Sequence, residues 1–163
     1  MPERVYVPNS DAGTLDVIDP RRLRVVGRFT VGAMPHHVTP SWDLKELYVT
    51  NTVGNSLTVL DPRRSKPAKT IPVDDPYNLY FTPDGSKAIV VAERLQRLDV
   101  RDPRNWKLRR GIRVPWSGVD QLDFSADGRA RSRRASSAAW WRRWISTACG
   151  WPARRAWAGC PST

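Results

Sequence analysis

The chain repeats itself every 41 or 42 residues, and a fixed period of that length decides the architecture before any single motif does. Asp19-Pro20-Arg21-Arg22 returns as Asp61-Pro62-Arg63-Arg64 and again as Asp102-Pro103-Arg104-Asn105. Val5-Tyr6-Val7-Pro8-Asn9 recurs as Leu47-Tyr48-Val49-Thr50-Asn51. Met34-Pro35-His36-His37-Val38 matches Asp75-Pro76-Tyr77-Asn78-Leu79, and Thr82-Pro83-Asp84-Gly85-Ser86-Lys87 pairs with Ser125-Ala126-Asp127-Gly128-Arg129. Independent landmarks sharing one displacement mark a repeated structural unit. Three repeats are expected, about 4–46, 47–87 and 88–129.

Inside a period the pattern is that of strands. Glu46–Asn51 is apolar and β-branched, and Asn51-Thr52-Val53-Gly54-Asn55 reads as a turn. Ser56–Asp61 alternates and ends at Asp61-Pro62, a good opening pair for a type I turn. Lys69–Val73 is a third strand whose Pro72 suits an outer edge. Tyr77–Phe81 is a fourth, stopped by Pro83-Asp84-Gly85. Val119–Phe124 opens a further unit. No stretch of residues 1–129 carries a 3.6-residue apolar period. Four short antiparallel strands per repeat is β-propeller blade arithmetic. The expected fold is all-β, with Tyr48, Val59 and Phe81 buried within or between blades.

The segments Leu47–Asn51 and Gly54–Asp61 resemble the signature of the YVTN-family β-propeller repeat proteins. The Pro-His-His-Val and Pro-Asp-Gly-Ser-Lys segments sit where that family opens its inner strand and turns into the next one. The resemblance covers residues 4–129. It implies a WD40-like ring of seven blades, of which this chain supplies about three. It implies little about chemistry: most members are repeat proteins, while others resemble the haem-binding propellers of nitrite reductases or the propellers of quinoprotein dehydrogenases.

The periodic part, 1–129, is expected to give way after Arg129 to an irregular tail. Residues 130–163 hold seven arginines and no acidic residue, five of the eight tryptophans, and no Leu, Val, Phe or Tyr. Arg, Ala, Trp, Gly, Ser, Pro and Cys are what GC-rich codons yield out of frame. Back-translated with permissive third bases, the tail can be read in a shifted frame as VVAAVDLDRVRVAGTACVGGLPFD. That string aligns without gaps to Thr14–His37, TLDVIDPRRLRVVGRFTVGAMPHH. The Val, Asp, Ala and Gly that follow each Trp are fixed, because Trp has a single codon. A frameshifted, truncated propeller is therefore expected. The alternative gives the Arg/Trp tail non-specific attraction to anionic membrane surfaces or single-stranded nucleic acid.

Whole-chain charge adds little. The net charge is +11, but residues 1–129 hold 20 basic and 16 acidic side chains. Arg21-Arg22 and Arg63-Arg64 repeat with the blade and read as one solvated outer turn, not a specific nucleic-acid groove. No apolar run approaches the roughly 18 residues of a membrane-spanning helix. No basic and then apolar leader follows Met1, so a cytoplasmic location is expected.

Candidate site residues are few. His36, His37, Tyr77, Asn78 and Asp120 fall where inner strands open, beside the channel of a ring, with Asp75 close by. Adjacent strand residues point to opposite faces, so His36 and His37 are not expected to line one pocket together. No nucleophile–base–orienter set, phosphate loop or Cys-x-x-Cys-His motif is present, and Cys149 and Cys160 lack further zinc ligands nearby. No cofactor or metal is expected. The expected function is non-enzymatic binding of an unknown protein or small polar ligand; the alternative is the propeller of a haem or quinone redox enzyme.

Overall fold

In the computed structural model, residues 3–115 and 118–124 are described, together with strands at 130–135 and 138–145. Among them there is no helix. Four antiparallel sheets follow one another along the chain. The first contains β1 (Val5–Asn9), β2 (Thr14–Asp19) and β3 (Arg24–Thr30). The second contains β4 (Pro35–Pro40), β5 (Leu47–Asn51), β6 (Ser56–Asp61) and β7 (Lys66–Pro72). The third contains β8 (Pro76–Phe81), β9 (Ala88–Ala92), β10 (Arg97–Arg101) and β11 (Leu108–Arg113). The fourth contains β12 (Val119–Phe124), β13 (Ala130–Ala135) and β14 (Ala138–Ile145). Strands pair in chain order throughout, and each sheet from the second onward begins at an inner-strand opening: Pro35, Pro76 or Val119.

The Asp-Pro-Arg motif folds as an Asx turn three times over. The Asp19 carboxylate accepts the backbone N–H groups of Arg21 and Arg22 at 3.0 and 3.2 Å. Asp61 accepts that of Arg63 at 2.8 Å, and Asp102 that of Arg104 at 2.9 Å. A short polar side chain that bonds two residues ahead closes such a turn locally. The third residue after each motif's proline (Leu23, Ser65 and Trp106) has positive φ. A bulge recurs at equivalent points of the two outer strands, at Val17/Ile18, Val59/Leu60 and Val100/Arg101.

Apolar side chains fill the spaces between successive sheets. Leu15, Val49 and Leu60 pack between the first and second. Between the second and third lies a larger core that includes Tyr48, Leu57, Val59, Leu79, Val90 and Trp106, with Phe81 packed against it. Ile89, Val91, Leu98, Val114, Val119 and Leu122 fill the space between the third and fourth. Residues 88–92, Ala-Ile-Val-Val-Ala, are buried on both faces: Ala88 and Val90 face one core, Ile89 and Val91 the other. Period-2 alternation between two dry interfaces makes an unbroken apolar run in sequence. Val5 and Val7, 45 % and 37 % exposed, occupy the positions of Leu47 and Val49 on the open face of the first sheet, and Val49 is wholly buried.

The expected irregular tail is corrected over part of its length. Ala130–Ala135 and Ala138–Ile145 pair antiparallel with one another, and the first of them with β12. The boundary expected after residue 129 thus falls between two paired strands. An unpaired β12 would leave a ladder of N–H and C=O groups open. Backbone pairing satisfies them without needing the aliphatic pattern that the tail lacks. Residues 146–163, with Cys149 and Cys160, lie outside the described residues.

Leu57 has no exposed surface and sits centrally in the largest core, whereas Leu23 is 85 % exposed. Leu57→Ala should lower unfolding stability by about 2–5 kcal/mol in urea denaturation. Leu23→Ala should change it by no more than about 0.5 kcal/mol.

Candidate functional site

The first strands of consecutive sheets approach one another, β4 against β8 and β8 against β12. Each of these strands skips register against its partner close to its start. Pro35 pairs with Asn51 and Val38 with Val49, so His36 and His37 together oppose Thr50. Pro76 pairs with Ala92 and Asn78 with Val91, which leaves Tyr77 out of the ladder. Val119 pairs with Ala135 and Gln121 with Arg134, which leaves out Asp120. The candidate residues His36, His37, Tyr77 and Asp120 are therefore the bulge residues of three successive inner strands. A bulge frees its residues from strict alternation and re-aims their side chains.

That geometry corrects the expectation that the two histidines part. Their ring centroids lie 6.1 Å apart with planes at 27°. Both rings pack on Tyr77, His36 at 4.8 Å and His37 at 5.1 Å between centroids. All three side chains are partly exposed. The Tyr77 carbonyl is 2.9 Å from Nδ1 of His37 and accepts the Thr50 hydroxyl at 2.9 Å. A carbonyl can only accept, so Nδ1 of His37 carries a proton. Thr50 also accepts the backbone N–H of His37 at 3.0 Å. Burial, and then the neighbouring His37, hold His36 below the usual histidine pKa, which favours its neutral form.

Asn78 is buried, and both ends of its amide make bonds within its own sheet. Its Nδ2 donates to the Tyr80 hydroxyl at 2.9 Å, and its Oδ1 accepts the Leu79 N–H at 2.9 Å. Asp120 lies on β12, and its side chain is outside the described residues. Asp75, 1 % exposed, accepts Nε of Arg94 at 2.6 Å and the Leu95 N–H at 3.0 Å. Arg94 in turn donates to the Thr52 carbonyl at 3.0 Å. This carboxylate is a structural clip between sheets. Among the described residues no group of three or more His, Cys, Asp or Glu could hold a metal ion. A cleft of about 370 Å³ lies elsewhere, between Thr30–Gly32 and Pro67–Thr70, with no histidine on its walls.

Sequence reasoning missed Thr50, the hinge of the trio. Its place opposite the inner strand is a signal only once the register is known.

Successive antiparallel sheets of three or four strands with converging first strands define a β-propeller segment. A family model for YncE-like β-propellers matches residues 2–114, and the chain belongs to that family. Hydrazine synthase of Kuenenia stuttgartiensis is similar in structure, with a TM-score of 0.67 and 26% identity over 80% of this chain and 38% of that one. The dihydro-haem d1 dehydrogenase NirN, solved in complex with DHE, shares the fold at a TM-score of 0.62 and 20% identity, over 87% of this chain and 32% of that one. The chain thus spans about a third of the length of each. No curated protein sequence matches it.

A histidine whose pKa is lowered in the folded state binds its proton more weakly there than when unfolded. The stability it supports is complete above the unfolded value of 6.5 and is lost as pH falls from there toward the folded pKa. NMR titration of the His36 ring should give a midpoint below 6.5. The thermal midpoint should fall with acidification over that window less in His36→Gln than in the parent.

Proposed function

We propose that this chain is part of a YVTN-type propeller that binds without turnover, its inner-strand bulges forming a polar, partly aromatic mouth for a peptide loop or a small polar ligand. The observation that supports this is the packing of His36 and His37 on Tyr77, three ring systems gathered from two adjacent sheets. Rigid strands that converge on one mouth suit recognition. His37 is oriented by a backbone carbonyl and not by a carboxylate, an arrangement that favours positioning over general-base catalysis. Asp120 belongs to the same mouth by its place on the third bulge.

The break in composition after Arg129 and the blade-like shifted frame support a further reading: the tail is out-of-frame translation and the mouth is incomplete in this chain. Nucleotide sequencing across codon 129 tests it. A single frame continuing through about four more blades supports the shift. A confirmed frame, with stop codons in the other two, overturns it.

A second reading makes the segment part of a redox propeller, as the names of the hydrazine synthase and NirN neighbours suggest. The two readings separate spectroscopically. Titrating haem into the protein with the frame restored should produce no new Soret band if the mouth is a binding module. Uptake of haem or quinone with substrate oxidation would overturn that reading. With the frame restored, joint substitution of His36, His37, Tyr77 and Asp120 by alanine should weaken capture of a bound partner about tenfold, with circular dichroism unchanged.

A further inference from the structure

The third residues of β2, β6 and β10 are repeat equivalents: Asp16, Thr58 and Asp99. Two of the three are carboxylates held by arginine, Asp16 by Arg28 and Asp99 by Arg97 and Arg101. Thr58 is the exception, and Ser56 and Leu60 flank it where Arg97 and Arg101 flank Asp99. In the joint between the second and third sheets, Arg97 also reaches Asp74 at 3.9 Å. Its side chain lies so close to Gly111 that a Cβ there would meet Arg97 Cδ at 3.0 Å. Asp74 follows Val73 as Gly32 follows Val31. The joint between the first and second sheets therefore has glycine, serine and threonine where the next joint has interlocked aspartates and arginines. It is also where a cleft of about 370 Å³ lies, lined by Thr30–Gly32, Thr58 and Pro67–Thr70.

Thr30, Thr58 and Thr70 bring hydroxyl groups to the lining, which holds no carboxylate. Its single cation, Lys69, is paired with Glu46 at 3.1 Å. Val31, Pro67 and Ala68 supply apolar surface. Asn51, without exposed surface, stands between two of the lining residues. It bonds to Thr58, and it packs so tightly on Gly32 that a Cβ there would fall 2.5 Å from Asn51 Cγ. Its Nδ2 donates to the Ser56 and Thr58 hydroxyls at 3.1 and 2.9 Å. A hydroxyl that accepts keeps its own proton to donate, and among the described residues neither of these two finds an acceptor. Oδ1 of Asn51 has no partner either. Buried polar groups are ordinarily satisfied. This cluster is left with spare donors and a spare acceptor beside an open space.

We infer that the cleft between the first and second sheets is a binding site for a small uncharged polyhydroxylated molecule, a sugar ring or a cyclic polyol. Each hydroxyl of such a ligand both donates and accepts, so it matches walls that offer hydroxyls and not charges. Its C–H face matches the apolar surface of Val31, Pro67 and Ala68. An anion would find no unpaired cation on the lining, and a purely apolar ring would leave the Thr58 proton unmatched. The volume lies near the lower end of the roughly 300–1,000 Å³ of small-molecule sites, which suits one or two rings and not a long chain. The cleft shares no residue with the His36–His37–Tyr77 mouth.

The test is NMR titration of the full-length, nitrogen-15-labelled chain with D-glucose and with myo-inositol. The amide signals of Gly32, Thr58 and Thr70 should move and saturate, with a dissociation constant of about 1 mM for the better probe. Cyclohexanol, succinate and inorganic phosphate should each bind at least about tenfold more weakly. Thr58→Val removes the buried donor at nearly constant volume and should weaken binding about tenfold. Thr30 and Thr70 are exposed, so joint Thr30→Val and Thr70→Val should keep the melting temperature while weakening binding by about three- to tenfold. Lys107→Gln, on the third sheet and away from the cleft, should leave affinity within about twofold. Unchanged affinity in both threonine variants would overturn the inference. So would saturable shifts confined to residues off the cleft, no saturation by either probe below about 100 mM, or preference for cyclohexanol, succinate or phosphate over both probes.

Discussion

Hydroxyl groups reaching from one sheet to the carbonyls of the next are what hold this fold in register. A first strand has one ladder neighbour, so the carbonyls on its free side need partners from elsewhere. Ser10 donates to the Pro35 carbonyl at 2.8 Å, and its repeat counterpart Thr52 donates to the Pro76 carbonyl at 3.1 Å. Thr50 and Thr39 add bonds to the carbonyls of Tyr77 and Leu79. Each such bond is worth only about 1 kcal/mol net, but a buried carbonyl left unpaired costs about 1–3 kcal/mol. Apolar packing brings the sheets together without specifying their alignment. The hydroxyls specify it, and the Asp75–Arg94 clip reinforces the same joint.

Most of the architecture was legible because the period, the strands and the turn chemistry agree. Ser56–Asp61 and Val119–Phe124 fall where their alternation places them. The Asp-Pro turns close as their side-chain chemistry requires. The inner-strand bulges were not legible. The bulge residues His36-His37, Tyr77 and Asp120 share no residue type, so no common local signal marks the skip in register. Alternation along β4 therefore separated two histidines that the bulge brings together. The pairing of Ala130–Ala135 and Ala138–Ile145 was hidden for a related reason. Backbone ladders complete an open strand without the side-chain pattern by which sequence reading finds strands.

The site and the stitches are one device. The Tyr77 carbonyl, turned out of the ladder by its bulge, receives both Thr50 and His37. The carbonyl that aligns two sheets through Thr50 also accepts from Nδ1 of His37, whose ring packs against Tyr77. A substitution at Thr50 would thus disturb the joint between sheets and the orientation of the histidine together.

The net charge of residues 1–129 understates how positive their exterior is, because four acidic side chains, Asp16, Asp19, Asp75 and Asp99, are buried. Asp99, without exposed surface, is held between Arg97 and Arg101, and Arg101 continues to the Trp106 carbonyl. Asp75 is spent on Arg94, and Asp16 on Arg28. A buried carboxylate left without partners is costly, and each of these three is paired with arginine. A near-balanced count over residues 1–129 therefore corresponds to an unbalanced exterior. The imbalance gathers on the outer strands β3, β7 and β11 and the turns before them, where every cation is exposed.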